Sequence, residues 1–336
     1  MKRIAFLLLL ILVGTSLVAQ DIHISQMERV TFYFNPAQTG FMKEKMRFSS
    51  NVKSQWSSVT VPFNEYLLAG EMNFKPYKRS KSKLGLGISL MYEKAGDSKL
   101  QTFSSGPALS YFFPVGLFKK SYVSLGLSTE INQKSISYDA LNFDNQFNGW
   151  YFDPTLPMGE NFTYKNFLYL TISTGVSYMY YMSKNEFFQA GLGIKNLNTP
   201  SVSWLSDKNV QLKPRSTFSF LLQKSSIYGF YVKPFVFVSF QSTQSEWLPG
   251  VLFVWLKNDE KSTYQALSTG LTWRVKDGIV WSGYYDFLNY RFGVSYDVNL
   301  SKLMKASYGR GGFEVSFIYL HSPHEARANQ IVCPIF

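Results

Sequence analysis

From Lys83 the chain alternates residue by residue. Leu84, Leu86, Ile88, Leu90 and Tyr92 fall on one face of an extended segment, and Lys83, Gly85, Gly87, Ser89 and Met91 on the other. The same period of two returns at Val123, Leu125, Leu127 and Ile131 against Ser124, Gly126, Ser128 and Glu130. It returns at Phe292, Val294, Tyr296, Val298 and Leu300 against Arg291, Gly293, Ser295, Asp297 and Asn299, and again at Phe313, Val315, Phe317 and Tyr319. A period of two is the signature of β-strands with two unlike faces. A soluble sandwich could give the same alternation in any one segment, so number and length decide. About fourteen segments can be read, at roughly 45–56, 65–75, 83–93, 100–112, 120–132, 166–182, 186–195, 214–224, 229–240, 246–256, 263–274, 278–287, 290–300 and 312–320. Most are about 9–13 residues long, the length a tilted strand needs to cross a bilayer, whereas globular strands average about five or six.

The connections carry an independent signal. With the N-terminus starting in the periplasm, a membrane barrel has short turns after even-numbered strands and its long loops after odd-numbered ones. Met182 to Glu186, Tyr228 to Gly229 and the Asn289 region are brief, while the long inserts, about 133–165 and 196–213, both follow odd strands. The pattern therefore predicts an all-β fold, a transmembrane antiparallel β-barrel of about 14 strands spanning 44–320. It must close, because no backbone N–H or C=O can go unpaired in hydrocarbon. Trp56, Tyr92, Tyr180, Tyr181, Trp255, Trp273 and Tyr319 at segment ends are expected to form interfacial girdles. The polar-face glycines Gly85, Gly87, Gly126, Gly175, Gly270 and Gly293 are expected to relax curvature and leave space in the lumen. Pro234 removes a ladder hydrogen bond, and a bulge is expected there.

Composition agrees with this picture. Of 336 residues, 46% are hydrophobic, 18% aromatic and only 17% charged, yet the mean hydropathy is −0.09. Apolar side chains are thus diluted evenly, and no apolar run past the N-terminus is long enough for a membrane helix. The aromatic content argues against disorder, and the single cysteine, Cys333, excludes a disulfide scaffold. Residues 1–19 read as a cleaved secretory signal: Lys2 and Arg3, the apolar stretch Ile4 to Val13, then small residues from Thr15 to Ala19. The formal charge of +12 falls by two once Lys2 and Arg3 are removed. For an exported chain the excess suits a lumen or anionic lipid head groups, and nucleic acid is not an expected partner. The expected location is the cell outer membrane.

Catalytic chemistry is scarce. The histidines are His23, His321 and His324, and Pro323 prevents the helical spacing that would place the latter two on one face. There is no nucleophile elbow, phosphate loop or spaced Cys/His cluster, so neither an enzyme nor a cofactor or metal site is expected. Function falls to the long loops, the segment 20–43 and the tail 321–336. Loop 133–165, with Asn142-Phe-Asp-Asn145 and Trp150-Tyr151, suits polar-aromatic recognition or a lid over the barrel mouth.

The ends carry motifs that a barrel alone does not explain. Asp21-Ile-His23-Ile-Ser25-Gln26 is followed by Asn35-Pro36-Ala37-Gln38-Thr39-Gly40 and by Gln55-Trp56. The chain closes with Glu314-Val-Ser316 and then Cys333-Pro334-Ile335-Phe336. Together these resemble the PorP/SprF family of outer-membrane proteins of the type IX secretion and gliding machinery, over the whole length. Ile24 departs from the aromatic usual at its position. The resemblance implies a non-enzymatic barrel that supports export or surface attachment of a specific secreted protein, often a large adhesin, through the cargo's C-terminal domain, with other secretion-system components as partners. It marks Asp21, His23, Ser25, Gln26, Asn35, Pro36, Ala37, Thr39, Gly40, Gln55, Trp56, Cys333, Pro334 and Phe336 as motif or partner-binding residues. From the residues themselves, Asn35-Pro36 fixes a turn and Gly40 can supply a positive φ. Segment 21–43 is then a lumen plug, a cover on the periplasmic mouth or a clamp for the first strand. Cys333 is either a free thiol or an intermolecular link. A channel for small or hydrophobic solutes is the alternative function.

Overall fold

The computed structural model describes residues 24–321, apart from 43, 56–60, 78–80, 97, 117–119, 139–140, 160–163, 184–185, 228, 259–263 and 302–303. The signal segment, Asp21, His23, Trp56 and the tail with His324, Cys333, Pro334 and Phe336 lie outside the described residues. Fourteen strands form: β1 (Met46–Gln55), β2 (Phe63–Phe74), β3 (Lys83–Ala95), β4 (Leu100–Val115), β5 (Ser121–Ser135), β6 (Asn166–Tyr181), β7 (Phe187–Lys195), β8 (Arg215–Ile227), β9 (Phe230–Gln241), β10 (Gln244–Asn258), β11 (Gln265–Arg274), β12 (Gly278–Phe287), β13 (Tyr290–Asn299) and β14 (Arg310–His321). Each pairs antiparallel with its sequence neighbours, and β1 closes on β14 from Met46↔His321 to Gln55↔Gly312, giving a closed barrel. The expected fold is the observed one.

The alternation decides which way each strand faces. Along β13, Tyr290, Phe292, Val294, Tyr296 and Val298 are exposed on the outer surface, while Arg291, Gly293, Ser295, Asp297 and Asn299 are buried inside. A one-residue slip would exchange the two sets, so the lipid fixes the register. Leu127, at the middle of β5, is 52% exposed on the outer face. Leu127→Arg is expected to cost about 2–4 kcal/mol, the penalty for a cation near the bilayer midplane. Denaturant unfolding in lipid vesicles reads it directly, and an unchanged midpoint would mean that this face is not in lipid.

Three local expectations need correction. Pro234 carries no bulge: β9 keeps continuous register with β10 through Pro234↔Val251. Pairing with β8 is instead interrupted between Leu221↔Phe235 and Lys224↔Val232, and the register shift there falls at Ser225/Ile227. Proline lacks a donor on one side only, so a gap in one ladder suffices. Tyr181 does not join an outer girdle; it faces inward, against Phe187 and the buried apolar cluster, because odd-numbered residues of β6 face the lumen. The inward glycines do not leave empty space, for the lumen is occupied.

Its occupant is the segment Ile24–Met42, almost wholly buried. It forms a 3-10 turn (Met27–Arg29), a single helical turn (Thr31–Phe34) and a second 3-10 turn (Pro36–Gln38). Its Ile24, Met27, Val30, Tyr33 and Phe34 pack with inward Leu67, Met91, Met179, Phe235, Phe237 and Leu252 into one apolar cluster. The segment starts in the half of the barrel that carries the long loops and descends to the opposite end, where β1 begins.

Candidate functional site

The segment is held by three sets of contacts. At the upper level, two successive backbone amides point at one carboxylate: Ser25 N–H donates to Glu314 Oε2 (2.8 Å) and Gln26 N–H to Glu314 Oε1 (3.0 Å). Asn51 Nδ2 donates to the same oxygen at 2.7 Å. The Ser25 hydroxyl lies 2.9 Å from both oxygens of Asp297 and accepts from Lys53 Nζ (3.0 Å) and Arg274 Nη2 (3.3 Å). Both cations also pair with Asp297, at 3.5 Å and 3.2 Å. Gln26 accepts from Ser316 Oγ (2.6 Å) and donates to Ser295 Oγ (3.1 Å). Ser25-Gln26 and Glu314-Val-Ser316, from opposite ends of the sequence, are thus two halves of one buried network. Charges taken this far from water persist only when paired and hydrogen-bonded, and here they are.

On the β12 wall, the Tyr284 hydroxyl donates to Glu28, and the Arg29 guanidinium lies 3.8 Å from the centre of the Tyr284 ring. On the far wall Lys195 Nζ sits 3.6 Å from the centre of the Tyr33 ring and 3.3 Å from Glu130. Cation–π contacts gain strength when desolvated, as these are.

The lower level is the Asn35–Gly40 turn. Pro36 presets the first position of its 3-10 turn, and Asn35 Oδ1 caps it by accepting from Ala37 N–H at 3.0 Å, while Asn35 Nδ2 donates to the Val176 carbonyl (3.2 Å). Thr39 Oγ1 donates back to the Pro36 carbonyl (2.8 Å). The wall grips the turn's carbonyls, Ser124 Oγ donating to Ala37 O (2.7 Å) and Ser110 Oγ to Thr39 O (2.6 Å). Gly40, at φ +66°, turns the chain so that its amide donates to Glu71 (2.6 Å), itself paired with Arg47. The turn rests against bare backbone. A Cβ on Gly85 would fall 2.0 Å from Thr39 O, on Gly126 2.1 Å from Ala37 N, on Gly175 2.0 Å from Asn35 Oδ1, and on Gly193 2.3 Å from Phe34 O.

Above the segment, toward the long loops, lies a cavity of about 300 Å³, with Tyr33 and Gln55 among its lining residues. The loop after β5 is closed at its base by Ile136 N–H to Lys165 O (3.0 Å) and by Tyr138 OH to Tyr164 O (2.9 Å). Its outer part is a small hairpin bridged at Phe147↔Phe152. Asn148 Oδ1 accepts from the Trp150 and Tyr151 amides (3.0 and 3.1 Å), and Gly149 takes φ +96°. Trp150 is left 91% exposed. The Thr155 hydroxyl and amide hold the Asp153 carboxylate below its usual range. The loop after β7 meets this one through Trp204, whose carbonyl accepts from Tyr164 N–H (3.4 Å) and whose ring stands edge-on to Phe167 at 4.7 Å.

Of the sequence-marked residues, Ser25, Gln26, Asn35, Pro36, Ala37, Thr39 and Gly40 are brought together in the lumen, and Gln55 stands apart at the cavity. Sequence reading missed Lys53, Arg274, Asp297, Tyr284, Lys195 and Asn196. For all but Asn196, which follows β7, the signal was a charged, polar or aromatic-hydroxyl residue on the inner face of a strand, which does not name its partner. No group of three or more His, Cys, Asp or Glu side chains suited to a metal exists among the described residues.

The chain matches, over residues 16–319, the model of a family described as the type IX secretion system membrane protein PorP/SprF. No curated protein matches it. Among solved structures it is similar to the toluene transporter TbuX of Ralstonia pickettii (11% identity, TM-score 0.53, covering 87% of this chain and 93% of that one). It is also similar to the monoaromatic hydrocarbon channel CymD (10% identity, TM-score 0.50, covering 91% and 96%). At these identities the likeness shows the barrel fold alone.

Proposed function

We propose, from the premise that the chain belongs to the PorP/SprF family of type IX secretion system membrane proteins, that this outer-membrane barrel supports export or surface attachment of a specific secreted protein by holding that protein's C-terminal domain at the long-loop end. The family is one of secretion-system membrane components, not of enzymes, and membership over nearly the full length is the observation that carries the reading. Two features of the geometry support it. A lumen filled by residues 24–42 has little to offer a diffusing solute, whereas a protein surface is offered outside. The hairpin Phe147–Phe152 holds Trp150 and Tyr151 outward on a preformed turn, and rigid aromatic anchors of this kind dominate binding energy at protein interfaces.

Affinity capture of the tagged full-length barrel from cross-linked cell envelopes tests this. A secreted protein, linked through its C-terminal domain, is expected in the captured fraction. Trp150→Ala combined with Tyr151→Ala should reduce its yield about tenfold or more, the effect of losing an interface hot spot. Capture of no secreted protein, with saturable solute uptake through the same barrel, would favour a channel instead.

A further inference from the structure

The positive charge of the chain is gathered in one sector. Residues 43–45, 75–83 and 119–120 together hold nine Lys or Arg and a single acidic residue, Glu44. In sequence they are the approach to β1 and the β2–β3 and β4–β5 connections, which are neighbours because β1 to β5 pair in order around the wall. This is the short-turn end, the periplasmic one in an outer-membrane barrel. Elsewhere the signs balance or reverse: residues 257–261, at the same end, carry two of each, and the long loop 133–165 carries two Lys against four acidic residues.

Direction separates this cluster from an ordinary lipid rim. Lys45, Lys75, Lys83 and Lys120 continue the lumen-facing rows of Arg47, Asn73, Gly85 and Ser124, and all but Lys83 are exposed. They therefore border the mouth. Lys224 and Lys257 instead continue the outward rows of Phe218 and Trp255, where lipid head groups lie. The bordering lysines stand where the lumen segment leaves the barrel, and that exit is fixed. Asn73 Nδ2 is within hydrogen-bond distance of the carbonyls of Gly40 (3.1 Å), Met42 (3.1 Å) and Glu44 (2.7 Å), and Lys83 Nζ donates to the Met42 carbonyl at 3.5 Å. Tyr77, between Lys75 and Lys83 in sequence, is 67% exposed, and an exposed aromatic within a charged rim is interface composition. Like charges crowded on one face repel each other, and an oppositely charged partner relieves that repulsion.

We infer that the short-turn mouth, on its β1–β5 side, docks an acidic face of a periplasmic protein. The surface is at the opposite end from the Trp150 hairpin and needs no bound cargo, so this inference and the proposed function can fail separately.

The test is fluorescence titration of a labelled decaglutamate peptide with the full-length protein in phosphatidylcholine nanodiscs. Saturable binding that weakens steeply with added salt is expected. Lys75→Glu with Lys120→Glu should weaken it about tenfold or more, the effect of reversing charges that face the ligand. Lys224→Glu with Lys257→Glu, an equal change of charge on the outward rows, should leave it nearly unchanged. All four positions are exposed, and the heat-modifiable gel shift checks that each variant is a closed barrel. In cells, a photo-crosslinking residue in place of Tyr77 should join a protein, and the adduct should be lost with the first pair of changes and kept with the second. Absence of saturable peptide binding, equal loss with both pairs, loss of binding when the discs are made with phosphatidylglycerol, or adducts to lipid alone would overturn the inference.

Discussion

Gly126→Leu is expected to turn a closed barrel into a conducting one. The atoms in the way of the new side chain are the Ala37 nitrogen and the Pro36 carbonyl carbon, 2.1 and 2.2 Å from where a Cβ would stand. They are backbone atoms of a capped turn and cannot rotate aside. Overpacking of a fitted core costs about 1–3 kcal/mol even where side chains can yield, and here the cheaper response is for the segment to leave its seat. The barrel ladder is untouched by the change, so the heat-modifiable gel shift should persist while steady conductance in planar bilayers and proteolysis within residues 24–42 appear. Gly70→Leu is the control. That glycine faces outward, and its Cβ would come no closer than 3.4 Å to Phe48. Equal conductance in wild type, Gly126→Leu and Gly70→Leu would show that the segment does not close the lumen.

Glu314→Ala should be the most destabilising single truncation in the upper network. It leaves the Ser25 and Gln26 amides and the Asn51 side chain without their acceptor. Removing one partner from a buried charged group typically costs about 3–5 kcal/mol, because the remaining charges and donors stay out of water. The temperature at which the folded gel species disappears should fall clearly for Glu314→Ala and hardly at all for Ser49→Ala, a buried inward serine of the neighbouring strand. Equal shifts would mean that the network contributes no more than ordinary packing.

The strands were legible because two solvents impose them. Lipid on one side and a polar interior on the other force period two on every crossing, and loop parity follows from which end each turn occupies. What fills the interior was not legible to the same degree. Segment 24–42 has no long periodicity, since it is built from single turns, and its position rests on partners hundreds of residues away: Ser25 on Glu314, Gln26 on Ser316. Such pairs leave no local trace. Inner glycines such as Gly85, Gly126 and Gly175 were read as slack in the wall, when they and Gly193 are the surface on which the Asn35–Gly40 turn rests; a strand shows that a side chain is missing but not what takes its place. Asn196 follows the last residue of β7, where a polar residue is ordinary, and only its backbone angle and unmatched amide distinguish it.

Closed barrel, filled lumen and outward aromatic hairpin make one account, in which the protein serves a secreted protein rather than a solute. Its most direct test is a comparison of the secreted and surface-attached proteins of cells with and without the gene, with Gly126→Leu and the Trp150/Tyr151 double variant supplied in its place. The account predicts that one or a few secreted proteins disappear from the surface in the deletion, and that the double variant fails to restore them. Unchanged placement of every secreted protein, together with reduced uptake of a single solute, would contradict it.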